Sequence, residues 1–335
     1  MKRTCALLLA TLLSSAVLAT EKPLSYGPQL EGFDYPYTLH HYSFDSQGQT
    51  LQMGYMDVAA NTKANGQTVV LLHGKNFCAA TWESTIKALS DAGYRVIAPD
   101  QVGFCSASKP EHYQYSFQQL AQNTHALLAD LDVKDPILLG HSTGGMLATR
   151  YSLMYPNEVQ RLAMVNPIGL EDWKALGVPW RSVDDWLERE SKVDAQSIKA
   201  YEQRTYSRRP VEARIRPLGE HARRAQPGPG PQPGGVELGA GLRHDLHPAG
   251  GVRIRQRSPA HPAADRHCRH HGHRQRHRAA GGRSAAGALR PARPAGGQGV
   301  PHATLVEFPG MGHAPQMEDP ARFHQALLKS AEHPQ

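Results

Sequence analysis

Ten residues, Ile137-Leu138-Leu139-Gly140-His141-Ser142-Thr143-Gly144-Gly145-Met146, constrain the fold more than any other stretch. They read as a buried apolar strand that runs into Gly-x-Ser-x-Gly and then a helix. A serine hydroxyl is a weak nucleophile unless it is held exposed beside a base and an anion-stabilising site. A sharp strand-to-helix turn does this. It needs small residues two before and two after the serine, because the backbones nearly touch there. Gly140 and Gly144 meet that need.

The flanking sequence has the alternation such a turn requires. Thr68-Val69-Val70-Leu71-Leu72 is a short β-rich run that ends in His73-Gly74, and residues 79–92 are helix-like. Tyr94-Arg95-Val96-Ile97-Ala98 is a second strand, ending in Pro99-Asp100. Residues 116–131 space Phe117, Leu120, Ala121, Leu127, Leu128 and Leu131 at helical intervals. A helix over about 144–155 and a strand from Arg161 to Asn166 follow the turn. Alternating strands and helices predict a mostly parallel sheet with helices on both faces. Ser142 then sits at the carboxyl edge of a central strand, where open α/β sheets place their sites.

At these positions the chain resembles the α/β-hydrolase family. The resemblance rests on His73-Gly74, the Asp100-x-x-Gly103 turn, the turn around Ser142 and a late Gly312-His313, and covers roughly residues 35–206 and 301–332. One departure is visible: Cys105 stands where a glycine is often found two residues beyond Gly103. The resemblance implies an α/β-hydrolase sandwich with a helical cap, acting on a small molecule without cofactor or metal.

It also implies roles. Ser142 is the expected nucleophile. His313 is the expected base, in the loop Pro309-Gly310-Met311-Gly312-His313 after the strand Thr304–Phe308 and before a helix starting near Asp319-Pro320. It would take the serine proton and return it to the leaving group. The oxyanion donors are expected to be the backbone N–H groups of Thr143 and of Lys75 or its neighbour Asn76. His73 reads as a structural hydrogen-bonder and Asp100 as a turn-fixing carboxylate. The family's triad acid belongs after the seventh strand, between the cap and His313.

That region is anomalous. Residues 207–300 contain no Lys, Phe, Tyr, Trp, Met, Asn or Thr, but 18 Arg and 9 His, and no run in them has strand composition. Stretches such as Pro227-Gly228-Pro229-Gly230-Pro231 cannot build a core. Three readings compete: a disordered insert, a basic nucleic-acid-binding tract, or translation in the wrong frame. The genetic code favours the third. Advancing Pro259 to His277 by one base permits a leucine-rich strand, a glycine turn and an aspartate. The same shift over Arg216 to Gln226 permits a credible helix. On this reading the chain lacks its seventh strand, and the acid falls across Arg269 and His270, neither of which replaces it. Asp265 belongs to the altered register and takes no role. Glu171 or Asp172, after the sixth strand, is the remaining route to an acid. The chain is expected to be nearly inactive and partly disordered, whereas a frame-corrected one hydrolyses an ester.

Charge supports setting that tract apart. Its 18 Arg against 5 acids give +13, while the rest carries 19 basic and 25 acidic residues, or −6, and together they make the net +7. With no interleaved aromatics or binding motif the tract gives no case for nucleic-acid readout. Its histidines lack the ligand spacing of a zinc site.

Met1-Lys2-Arg3, the apolar run Ala6–Leu13 and Val17-Leu18-Ala19 read as a secretory signal peptide over 1–19, with no later segment long enough to span a bilayer. The protein is therefore expected to be exported, periplasmic or secreted. Export makes a bridge between Cys78 and Cys105 plausible chemistry, contributing roughly 3–4 kcal/mol through loop entropy, against two packed free thiols. The expected organisation is a signal peptide at 1–19, hydrolase core at 20–170, partial cap at 171–206, the anomalous tract at 207–300 and the end of the core at 301–335. In the cap, Trp173, Leu176, Val178, Trp180, Trp186 and Leu187 form an apolar side, read as packing onto the core more than as pocket wall. Ester hydrolysis of a small or medium apolar substrate is the first reading. Amide or carbon–carbon cleavage and a perhydrolase reaction use the same machinery. A non-catalytic binding module on the same fold, or a basic interaction protein working through 207–300, are the readings from other classes.

Overall fold

A computed structural model describes residues 26–75, 77–170, 177–193, 197, 200, 201, 251–256 and 303–332, with 251–256 as backbone only. Among the described residues eight strands form one sheet: β1 (Leu39–Ser46), β2 (Gln49–Val58), β3 (Thr68–Leu72), β4 (Arg95–Pro99), β5 (Ile137–His141), β6 (Arg161–Val165), β7 (Gly251–Gln256) and β8 (Ala303–Glu307). Their order is β1-β2-β4-β3-β5-β6-β7-β8. The centre, β4-β3-β5-β6, is parallel. A 3-10 turn, Ala79–Trp82, leads into α1 (Glu83–Asp91). The remaining described helices are α2 (Phe117–Asp130), α3 (Thr143–Met154), α4 (Val183–Ser191), α5 (Pro315–Glu318) and α6 (Pro320–Glu332).

The central strands are short and apolar because both their faces are covered. Side chains alternate across a strand, so each strand feeds two cores. Val69, Leu71, Val96, Leu139 and Val165 pack with Ile86 and Leu89 of α1 and with Phe323 and Leu327 of α6. Val70, Leu72, Ile97, Leu138 and Met164 pack with Leu120, Leu127 and Leu128 of α2 and with Leu147 and Tyr151 of α3. The Ser116 hydroxyl caps α2 by accepting from the Gln119 N–H. Helices therefore flank the sheet on both sides, and the expected α/β sandwich is present.

Three features depart from the sequence reading. First, β1 and β2 form an antiparallel hairpin that the periodicity had not suggested, joined at Gln47 and Gly48, with φ of 51° and 74°. Two successive positive φ values suit the twist of a two-residue hairpin. Second, residues 207–300 do contain a strand. β7 lies between β6 and β8 and is antiparallel to both. The run Val252-Arg253-Ile254-Arg255 alternates with a period of two. Weak as that signal is, the facing edges of β6 and β8 need backbone partners, and any extended segment supplies them. The sheet is accordingly mixed.

Third, the cap's apolar residues do not share one environment. Trp186 is buried, whereas Trp180 is 85% exposed. Trp173 and Leu176 lie outside the described residues, as do the expected signal peptide and most of 207–300. Among the described residues no helix is long and apolar enough to cross a membrane.

Candidate active site

The turn between β5 and α3 is held in a strained form. Ser142 adopts φ 56° and ψ −116°, a region non-glycine residues rarely enter, at a cost of about 1–3 kcal/mol. Its surroundings over-determine that shape. The Ser142 N–H donates to the Val165 carbonyl at the end of β6 (3.0 Å), and its own carbonyl accepts from the Gly145 N–H (3.0 Å). A Cβ on Gly140 would run into the Gly144 carbonyl, and one on Gly144 into the Leu72 carbonyl. Both glycines are required by contact with backbone.

The loop after β3 closes over this turn. A Cβ on Gly74 would lie 3.3 Å from the Ser142 Cβ and 3.1 Å from the His141 Nδ1. His73 shapes the loop: its Nε2 accepts from the Gln101 N–H (3.1 Å) and its Nδ1–H donates to the Gly74 carbonyl (2.9 Å). Burial pushes its pKa down, so it is a neutral structural group. Lys75 follows, and its ammonium reaches Glu190 of α4 at 3.1 Å. Thr143 opens α3, where a first-turn N–H has no partner within the helix. Asn76, the other residue considered as a donor, lies outside the described residues.

Asp100 fixes the next turn. It is fully buried and accepts four hydrogen bonds: from the Ala79 N–H (2.7 Å), the Tyr35 hydroxyl (2.5 Å), and the Ser106 N–H (3.1 Å) and hydroxyl (2.6 Å). Burial, then the Asp100 charge, raise the Tyr35 phenol above its ordinary value of 10.0. Cys78 and Cys105 are joined by a disulfide across this turn, with Cα atoms 5.8 Å apart. Cys105 has φ 47°. It holds the left-handed conformation that glycine would adopt without strain. Cys78, Asp100 and Cys105 have the proximity of a metal site. Both sulfurs are spent in the bridge, however, and both carboxylate oxygens already accept hydrogen bonds.

His313 reaches the same edge of the sheet from β8. Its backbone carbonyl accepts from the His141 Nε2–H (3.0 Å) and from the Asn166 side-chain amide (2.7 Å). The His141 and His313 rings are 4.8 Å apart, centroid to centroid. The preceding turn is pinned too, the Gly312 N–H donating to the Glu318 carboxylate at 2.5 Å. Burial pushes the His313 imidazole well below its usual range, and His141 adds to that. The structure thus brings the Ser142 turn, the His313 loop and the Gly74-Lys75 loop to one edge of the sheet.

Two residues escaped the sequence reading. His141 lies inside the quoted motif, but nothing in sequence links it to a carbonyl 172 positions away. Asn166, with φ 42°, ends the sixth strand as an unremarkable turn residue. Glu171, Asp172, Asp265, Arg269 and His270 lie outside the described residues. Among the described residues, Phe77 and Ala314 form a buried apolar cluster beside His313, with Met317 and Tyr201 packed against it.

Comparison with known proteins agrees with this geometry. A family model described as the alpha/beta hydrolase fold matches residues 67–211. A solved structure of a probable hydrolytic enzyme from Pseudomonas aeruginosa PAO1 is 42% identical, covers 92% of this chain and 98% of its own, and superposes with a TM-score of 0.70. An AB hydrolase superfamily protein of Bacillus subtilis strain 168 is 36% identical over 112 residues, 33% of this chain and 39% of that protein. A haloalkane dehalogenase of Mycolicibacterium paratuberculosis is 30% identical over 135 residues, 40% of this chain and 44% of that protein. The chain spans only about two-fifths of the length of the first curated relatives it matches. A sheet of this order, a strained serine between β5 and α3, and near-complete coverage of a solved relative lead to one assignment: the chain belongs to the α/β-hydrolase family.

Proposed function

We propose that this chain is an exported serine hydrolase that cleaves an ester of small or medium apolar character through an acyl-enzyme. One observation carries the reading. A serine in a backbone conformation that side-chain-bearing residues rarely adopt packs against the Gly74 loop, and the histidine before it bonds the backbone carbonyl of His313. Strain of this kind persists only where surrounding contacts impose it.

In the proposed reaction the Ser142 hydroxyl attacks the ester carbonyl carbon while the neutral His313 imidazole takes its proton. The tetrahedral oxyanion is met by the N–H groups of Thr143 and Lys75. The imidazolium returns the proton to the leaving alcohol, and water repeats the sequence in reverse to free the acid. The apolar cluster of Phe77, Ala314 and Met317 beside His313 favours an apolar acyl group over a sugar. Export is supported by the amino-terminal pattern over 1–19 and by the Cys78–Cys105 bridge, a bond that survives in oxidising compartments. The triad acid remains the weak member, so the proposed activity is impaired in this reading frame.

A fluorophosphonate probe tests the assignment. It is expected to label Ser142 and to leave Ser142→Ala unlabelled. Equal labelling of both proteins, or none of the native chain, rejects the reading.

A further inference from the structure

The cap touches the oxyanion loop through a specific ion pair. Lys75 Nζ and Glu190 Oε2 lie 3.1 Å apart, with side chains 20% and 16% exposed. They are 115 residues apart in sequence. Among the described residues it is the ion pair that joins α4 to the core. Lys75 is also the residue whose backbone N–H is the proposed oxyanion donor.

α4 is built as a unit able to transmit such a contact. Ser182 and Asp185 form a reciprocal capping box at its start. Trp186 is buried, with the Arg181 and Arg189 guanidinium groups 5.8 Å and 5.9 Å from its ring centroid. Glu190 is one turn beyond Trp186, so the buried ring and the carboxylate share a face. Seating that face sets where Glu190 stands. The Lys75 backbone, in turn, follows directly on Gly74, which touches the Ser142 turn.

We infer that the Lys75–Glu190 pair is a latch that positions the oxyanion loop when the cap is seated, making Lys75 and Glu190 positioning residues. This rests on the serine-hydrolase reading only for its chemical consequence. The mechanical part, cap to loop, stands on the contact itself. An exposed lysine–glutamate pair adds little stability. A partly buried pair at a reacting centre acts instead through geometry, because a small misplacement of a donor costs rate steeply.

The test uses the full chain with Lys75→Met, Glu190→Gln, Lys75→Arg and the charge swap Lys75→Glu/Glu190→Lys. Three quantities are read: the rate of Ser142 labelling by a fluorophosphonate, hydrogen exchange in peptides covering residues 74–82, with α2 as control, and the melting temperature. Lys75→Met and Glu190→Gln are expected to slow labelling about tenfold or more, with the melting temperature held to within about 2 °C. Exchange over 74–82 is expected to rise about threefold while α2 is unchanged. Lys75→Arg and the charge swap are expected to restore labelling and exchange. Labelling and exchange that stay at native values in the single variants overturn the latch, as does failure of both Lys75→Arg and the swap to restore them. If the native chain is not labelled at Ser142, the hydrolase reading fails, and exchange over 74–82 alone decides the latch.

Discussion

The Nε2–H of His141 donates to the backbone carbonyl of His313 across 3.0 Å, tying the residue before the proposed nucleophile to the loop of the proposed base. Both rings are buried. Burial lowers His141 to about 4 and pushes His313 well down. In the unfolded chain these imidazoles titrate near ~6.5. Between that value and about 4 the unfolded state binds protons that the native His141 refuses, so stability rises with pH. It is complete above the unfolded value and falls as the pH drops. His141 accounts for about 3 kcal/mol of that loss. Urea midpoints measured from pH 7 downward are expected to fall accordingly, and a flat profile would contradict the burial of a neutral pair.

Asn166 anchors the same carbonyl from the end of β6 at 2.7 Å. Asn166→Ala leaves His313 in the chain but removes one of the two side-chain donors to its backbone carbonyl named above. The labelling rate of Ser142 is expected to fall about tenfold with little change in melting temperature, because orientation and not folding is lost. A melting shift without a rate change would make Asn166 purely structural.

The legible parts of this molecule were those whose causes are local. β3, β4, β5 and β6 are apolar because both faces are covered, so they stand out in sequence, as do Gly140 and Gly144, squeezed by backbone. β1 escaped because it is an edge strand with a wet face, where Leu39-His40-His41-Tyr42 shows no clean alternation. β7 escaped because its pairing is imposed by β6 and β8, against the composition around it. The contacts of His141, Asn166 and Lys75 link loops far apart in the chain. Each is made by a polar side chain whose partner only the fold brings near.

The elbow glycines give a sharp structural test. A methyl on Gly144 meets the Leu72 carbonyl, part of a central strand that cannot step aside. Gly144→Ala is expected to destabilise by roughly 1–3 kcal/mol and to abolish labelling of Ser142. Gly48→Ala, in an open turn with φ 74°, is expected to cost about 1 kcal/mol from strain alone and to leave labelling intact. Equal behaviour of the two variants would deny that the elbow is contact-limited.

The disulfide closes a loop with a sequence separation of 27. Loop entropy puts its contribution near ~3–4 kcal/mol. A thiol titration of the native protein is expected to find Cys78 and Cys105 blocked. Cys78→Ala/Cys105→Ala is expected to lower the urea midpoint while Asp100 continues to hold the turn through its four hydrogen bonds. Two titratable sulfhydryls at these positions in native protein would reject the bridge.

β6 runs toward the site, its last residue Val165 accepting from the Ser142 N–H. β7 runs the other way: Val252 faces Val165, while Gln256 faces Arg161 at the far edge of the sheet. The carboxyl end of β7 therefore points away from His313. An acid following a seventh strand, as the family resemblance requires, can face the histidine only if that strand is parallel to β6. The one-base shift over Pro259 to His277 permits such a strand, a glycine turn and then an aspartate. Orienting the imidazole with a carboxylate is worth up to ~10⁴-fold in rate where it has been removed from other triads. A chain carrying the corrected frame is accordingly expected to hydrolyse a p-nitrophenyl ester at least about a hundredfold faster than this one. Substituting the restored aspartate by asparagine is expected to erase most of the gain. Equal rates in the two chains would remove the frame shift as the cause of the missing acid.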